Sequence, residues 1–253
     1  MSKWVTSWGV PTSYVAEGIC NVIGDTTLSY VFYNGIKGAK VRIRFSNAYG
    51  EEDVKIDKVS FSEWSGKGLN AAPGTLTEVT MKESGNIIKA GGELTTDAVE
   101  FNLESGRSYM IRLYIKEPTQ IVTGYNKFAE DKAAPCWFTR GDKAYEETIG
   151  GYVSKATVSY LFLCGVDVLS ADDTNAIMAF GDSITARPWP DLLMRRINGE
   201  GITNRSVVRK AIGGNRVLRD YRDYLPRRSM GLSAVERFEM SIKQVLGVDK
   251  VIR

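Results

Sequence analysis

The residue best able to do chemistry in this sequence is a serine that follows a glycine at the end of an apolar run. Ala176-Ile177-Met178-Ala179-Phe180 leads into Gly181-Asp182-Ser183-Ile184-Thr185. Catalytic groups of open α/β sheets gather at the carboxyl ends of strands, which is where this spacing puts Ser183. Gly181 lets the backbone turn sharply, and amide groups just beyond it can stabilise negative charge. A second apolar run, Ser206-Val207-Val208, delivers Ala211-Ile212-Gly213-Gly214-Asn215 to the same edge. A glycine there brings its N–H close to a ligand with no side chain in the way. The amides of Ser183 and Gly214 would make a minimal oxyanion hole, with Ser183 as nucleophile and Asp182 as structural support of the turn. Gly-Asp-Ser and Gly-Gly are each common by chance, and on the motif alone a serine in this place is more often a helix cap than a nucleophile. The chain has no histidine, which removes the commonest general base and the commonest metal ligand. A serine hydroxyl is a poor nucleophile without an adjacent base, and the neighbouring Asp182 is a feeble substitute.

Two different patterns must position these residues. Over residues 27–168 apolar and polar residues alternate: Val41, Ile43 and Phe45 with Arg42, Arg44 and Ser46; Tyr109, Ile111, Leu113 and Ile115 with Met110, Arg112, Tyr114 and Lys116. Such runs predict antiparallel strands with one buried and one wetted face. Asn34-Gly35, Ser65-Gly66-Lys67-Gly68, Ala90-Gly91-Gly92 and Glu104-Ser105-Gly106-Arg107 supply the turns. Many short strands without a long helix predict a β-sandwich of jelly-roll type over residues 1–170. A polar segment, Ser170-Ala171-Asp172-Asp173-Thr174-Asn175, reads as a linker. Beyond it the apolar run at 176–180, a helix around 191–197 and the strand near 206–208 follow in order. Next comes a helix opened by a Ser233/Glu236 capping box, with Val235, Phe238, Ile242, Val245 and Leu246 on its apolar face and Gly247 at its end. A third strand is expected over 248–252. This is the opening of a parallel, doubly wound sheet over 176–253, and as an incomplete sheet it should leave apolar surface exposed and its backbone poorly protected.

Bulk properties narrow the function classes. With 253 residues, 43% hydrophobic and 25% charged, the chain is long enough for two domains. It holds no apolar run of membrane-spanning length, and its start lacks the apolar core of a secretion signal; both point to a cytoplasmic protein without a membrane partner. Cys20, Cys136 and Cys164 are too few and too scattered for a disulfide framework or a metal knuckle, and Cys164 in its apolar surroundings reads as a buried, inert thiol. Net charge is only +3, yet from Arg187 onward there are 15 Lys and Arg against 7 Asp and Glu. These basic residues are scattered through amphipathic elements, so a solvated or substrate-facing surface is expected rather than a nucleic-acid interface. No phosphate-cradling loop or metal-ligand spacing is present, and neither cofactor nor metal is expected. Trp4, Trp8, Trp64 and Trp137 could stack on sugar rings, although core packing is the commoner use of such residues.

Phe180-Gly181-Asp182-Ser183-Ile184-Thr185 resembles the first sequence block of the GDSL/SGNH serine hydrolases, and Ala211-Ile212-Gly213-Gly214-Asn215-Arg216 is similar to the second, with Gly214 at the oxyanion glycine. Trp189-Pro190 followed by Leu192-Leu193 looks like the helix after the nucleophile in that family. Trp4-Val5-Thr6-Ser7-Trp8, Tyr33-Asn34-Gly35 and Val41-Arg42-Ile43-Arg44-Phe45-Ser46-Asn47 resemble the early strands of a subgroup with an N-terminal β-sandwich. The resemblance implies a jelly-roll-like sandwich followed by a flavodoxin-like sheet, here incomplete, and a hydrolase of small esters or acetylated saccharides. The family's third block and its late block, with the aspartate and the histidine base, have no counterpart here. The absence reads as a C-terminal truncation, and the chain by itself is expected to be nearly inert. The competing expectation is a non-catalytic β-sandwich module that binds carbohydrate or protein and carries a vestigial hydrolase segment.

Overall fold

The computed structural model describes residues 1–15, 22–126, 135–150, 154–157 and 159–252, and the fold is β-rich. The main strands of the first 171 residues begin with β1 (Ser2–Gly9), β2 (Thr26–Asn34), β3 (Gly38–Ser46), β4 (Lys58–Glu63) and β5 (Thr77–Val79). They continue with β6 (Glu93–Thr95), β7 (Val99–Leu103), β8 (Arg107–Ile115), β9 (Cys136–Arg140), β10 (Ser154–Thr157) and β11 (Leu163–Ala171). One antiparallel sheet runs β1-β11-β3-β6, with β7 also on β3; the other runs β10-β9-β2-β8-β4-β5. The expected alternation builds the space between them. Val41, Ile43 and Phe45 of the first sheet share a core with Leu28, Tyr30, Phe32, Phe61, Ile111 and Leu113 of the second. Gly66, Gly68, Gly91 and Gly106 of the expected turns take positive φ, which only glycine adopts at little cost.

The polar faces of two strands differ from expectation. Arg112 of β8 is buried, because loops fold over that face and the guanidinium donates to the Leu69 and Glu146 carbonyls. Arg44 of β3 is buried as well, because the C-terminal part covers it. Its Nε lies 3.0 Å from Asp167 Oδ2, and its Nη2 donates to Gln244 O at 2.6 Å.

The C-terminal part comprises β12 (Asn175–Gly181), α1 (Trp189–Gly199), β13 (Arg205–Ala211), α2 (Ala234–Lys243) and β14 (Val248–Ile252). Its sheet is parallel, in the order β13-β12-β14, with the first strand in the centre. The segment read as a linker is a tight turn, closed by Thr174 N–H donating to Ala171 O at 3.0 Å. Ala179 and Val207 face α1 through Met194. Ala176, Met178, Phe180 and Val208 point the other way and join the main core, together with Val5 and Trp8 of β1 and Phe238 and Ile242 of α2.

The expectation of an uncovered apolar sheet is therefore corrected: β1 and α2 cover the face opposite α1. A bulge between Thr6 and Trp8 leaves Ser7 without a partner in the ladder and bends the strand there. Thr6 N–H donates to Leu246 O at 3.0 Å, and Thr6 O accepts from Ser206 Oγ at 2.7 Å. Exposed apolar surface does remain in this part: Val251 and Ile252 on β14 at the sheet's edge, and Ile184, Leu192, Val217, Leu218 and Val235 outside the sheet, are open to solvent. Among the described residues no helix is long and apolar enough to cross a membrane.

Candidate active site

The parallel register pairs Gly181 with Ala211, and Ile212 N–H continues the ladder to Gly181 O at 3.1 Å. Both chains then leave the sheet at the same edge. After β12 the backbone makes one helix-like turn: Ala186 N–H donates to Asp182 O at 2.8 Å, and Ile184 N–H to Asp182 Oδ1 at 3.0 Å. A Cβ on Gly181 would lie 2.6 Å from Thr185 Oγ1, so close approach, and not an unusual φ, demands glycine there. Ser183 sits half-buried within this turn. After β13, Gly214 is exposed with φ +75°, and a Cβ on it would lie 2.7 Å from Met230 Sδ. Neither the Ser183 amide, nor its hydroxyl, nor the Gly214 amide bonds to another described residue.

Three buried cations frame this edge. Arg237 of α2 donates through Nη2 to Gly181 O (2.7 Å), through Nη1 to Lys210 O (2.7 Å) and through Nε to Asn215 Oδ1 (2.9 Å). Its guanidinium carbon lies 4.1 Å from the centre of the Phe180 ring. Burial pulls its pKa down to about 10, with the Tyr49 and Tyr125 phenols opposing that shift. Arg209 of β13 holds Ala186 O at 2.8 Å and lies 3.0 Å from Asp191 Oδ2 in the first turn of α1. Lys210 is buried where β13 meets the front sheets and donates to Val10 O (2.8 Å) and Gln244 Oε1 (3.1 Å). Burial lowers its pKa to about 8.

The sequence reading spread these basic residues over wet surfaces and missed all three. A signal was present: Arg209-Lys210 interrupts a strand buried on both faces. In α2, likewise, the small and polar residues Ser233, Arg237, Ser241 and Gln244 recur at helical spacing. That polar stripe faces inward, while Val235, expected in the core, is 63% exposed. Ser233 caps α2 by accepting from Glu236 N–H at 3.3 Å, but the Glu236 carboxylate pairs with Arg222 instead of closing the box.

A cleft of about 660 Å³ opens beside the turn. It is lined by Asp182 and Ile184, the two neighbours of Ser183, together with Phe180, Trp189, Val217 and Phe238. Among the described residues no group of His, Cys, Asp and Glu suits a metal ion. Of the tryptophans weighed as a sugar platform, Trp8 is in the core; the other three are half-buried, Trp64 and Trp137 packing against Val31 and Met110 and Trp4 lying 4.3 Å from the Arg42 guanidinium. Cys136 and Cys164 are buried, and burial pushes the Cys164 thiol up to about 11; Cys20 lies outside the described residues. No family model matches the chain, and no curated protein matches it.

Proposed function

We propose that this chain is the nucleophile-bearing part of a serine-dependent carboxylic-ester hydrolase of the GDSL/SGNH type, acting on a small ester or an acetylated saccharide. On this reading the front sheets are a jelly-roll-like sandwich, and β13-β12-β14 is the start of a flavodoxin-like sheet, whose first strand also lies between the second and third. What supports it is one feature: two adjacent parallel strands end at the same edge, and the Ser183 and Gly214 amides beyond them donate to no other described residue. The Ser183 hydroxyl would attack the acyl carbon, and the carbonyl oxygen, gaining charge, would be held by those two amides. The proton leaving Ser183 needs an acceptor, and this sequence has no histidine to take it. The base on this reading is a histidine supplied from outside the sequence, and the chain alone is nearly inert. A cytoplasmic setting suits a sequence with three widely spaced cysteines.

The lack of a base favours a second reading, a non-catalytic binding module. Nitrophenyl acetate hydrolysis separates the two. The chain by itself should run near background. Either a longer product of the same gene, or the chain with added imidazole compared with imidazole alone, should show a gain in rate, and Ser183→Ala should abolish that gain. If no form shows turnover that depends on Ser183, the hydrolase reading is lost and the binding module stands.

A further inference from the structure

The buried arginines of this fold bind very different partners. Arg112 gathers loop carbonyls at Leu69 and Glu146, and Arg44 neutralises Asp167. Arg237 differs in what it holds. Its three acceptors are the carbonyl two residues before Ser183, the side chain next after Gly214, and the carbonyl four residues before Gly214. A single planar group therefore spans the ends of β12 and β13 and the loop between Gly214 and α2.

Asn215 extends the clamp, since its Nδ2 donates to Met230 O (2.8 Å) and Leu232 O (2.7 Å). Those bonds seat the Met230 side chain against Gly214, where a Cβ would collide with it. The ring of Phe180 stacks on the guanidinium and makes an edge contact with Phe238 at 5.1 Å. Arg237 is thus locked in direction as well as in place, anchored through a helix that Ser233 caps.

We infer that Arg237 is a positioning residue of the candidate active site, fixing the separation of the Ser183 and Gly214 amides by binding both strand ends at once. The inference rests on the ester-hydrolase reading for its catalytic meaning. Two amides serve one oxyanion only when both point at the same atom, and displacements near 1 Å are costly. A guanidinium has three nitrogens in a rigid plane and can meet three acceptors together. A lysine supplies the charge but not the fork. The other groups facing Arg237 are the Tyr49 and Tyr125 phenols, and among the described residues no carboxylate pairs with it. That cation sits behind the point where negative charge would develop.

The test uses the whole chain in its wild-type, Arg237→Lys and Arg237→Gln forms. Hydrolysis of nitrophenyl acetate is followed with imidazole present, and the Ser183 and Gly214 amides are followed by ¹⁵N NMR. In Arg237→Lys, kcat should fall by roughly tenfold to a hundredfold with KM nearly unchanged. Both amide signals should move, while those of β2 and β8 stay in place. Arg237→Gln should behave no better than Arg237→Lys. A Lys variant with wild-type kcat and unmoved amides would overturn the inference. If the wild-type chain shows no Ser183-dependent turnover, the hydrolase reading fails, and the amide shifts alone still decide whether Arg237 sets the two amides. Should neither variant fold, through-bond coupling between Arg237 Nη2 and the Gly181 carbonyl is sought in the wild type, and its absence overturns the clamp.

Discussion

Lys210 holds an ammonium group with no access to water, and this gives the fold a definite pH dependence. Its pKa is about 8 when folded, against 10.5 for the free side chain. Between these values the unfolded chain binds the extra proton, so raising the pH favours the folded state. Cys164 acts in the opposite sense, but only above pH 9, where its thiol would ionise if unfolded. The window from pH 8 to 9 therefore belongs to the lysine. Relative to Lys210→Met, the wild type should gain roughly 1 kcal/mol across that unit in urea unfolding. Parallel stability curves for the two proteins would refute this. Gly214 gives a second test at this scale. A side chain at φ +75° is strained by roughly 1–2 kcal/mol, and at this position it also meets Met230. Gly141 has a similar φ of +85° with open space around it. Gly214→Ala should lower stability more than Gly141→Ala by about 1 kcal/mol, and equal urea midpoints would show that Met230 simply moves aside. Of these residues Gly214 was legible in the sequence, through its neighbour glycine and the strand before it. Lys210 and Arg237 were not, because a charged side chain in a sequence signals water until the tertiary structure provides its partners.

Elements were more legible than the contacts between them. The helix expected over 191–197 spans Trp189–Gly199, the strand near 206–208 spans Arg205–Ala211, and the third strand is Val248–Ile252. These followed from apolar periodicity, and the start of α2 from Ser233, signals that act over a few residues; Gly247, expected to close α2 after Val245 and Leu246, lies beyond its end, since the helix stops at Lys243 with Gln244 as its cap. Docking between elements leaves no such local trace. Asn34-Gly35 reads as a plain hairpin turn, yet Gly35 is where α1 rests on the front sheets. Its carbonyl accepts from Asn198 Nδ2 at 2.9 Å, and a Cβ on it would overlap Met194 Sδ. Gly35→Ala should therefore cost on the order of 1–3 kcal/mol by forcing the helix off its seat. Met194→Ala should cost its own cavity penalty, on the order of 2–5 kcal/mol. With the thioether gone the methyl has room, so the double variant should be no less stable than Met194→Ala alone. Additive losses would mean that Gly35 matters for its turn and not for the helix. The burial of Arg44 was hidden for the same reason: β3 alternates as an edge of a wetted sheet would, and only the C-terminal part makes its second face dry.

Read as a line of residues, the molecule divides near 170–175 into a sandwich and an unfinished sheet that should open easily. Folded, it is joined through β1. That strand pairs with β11 along one side, and at its bulge Thr6 bonds to Leu246 and Ser206. Its Val5 and Trp8 belong to the core that also contains Met178 and Val208. Pulling the C-terminal part away would expose Arg44 and Asp167, break the hydrogen bonds of Lys210 to Val10 O and of Arg44 to Gln244 O, and open that core to water. Exposing the shared apolar core costs about 25 cal/mol per Å², and a buried donor or acceptor left unpaired costs roughly 1–3 kcal/mol, so separation of the two parts competes poorly with unfolding of the whole. Hydrogen exchange should reflect this. The amides of Met178, Ala179 and Val208 should exchange as slowly as those of Ile43 and Ile111, through the same global opening. Those of Lys250, Val251 and Ile252, on an exposed edge strand, should exchange much faster. Mass-spectrometric readout of deuterium uptake over hours resolves these segments. If β12 and β13 instead took up label together, well ahead of β3 and β8, the two parts would be separate cooperative units. The polar junction at Thr6, Arg44 and Lys210 would then be a contact that opens freely and not part of one core.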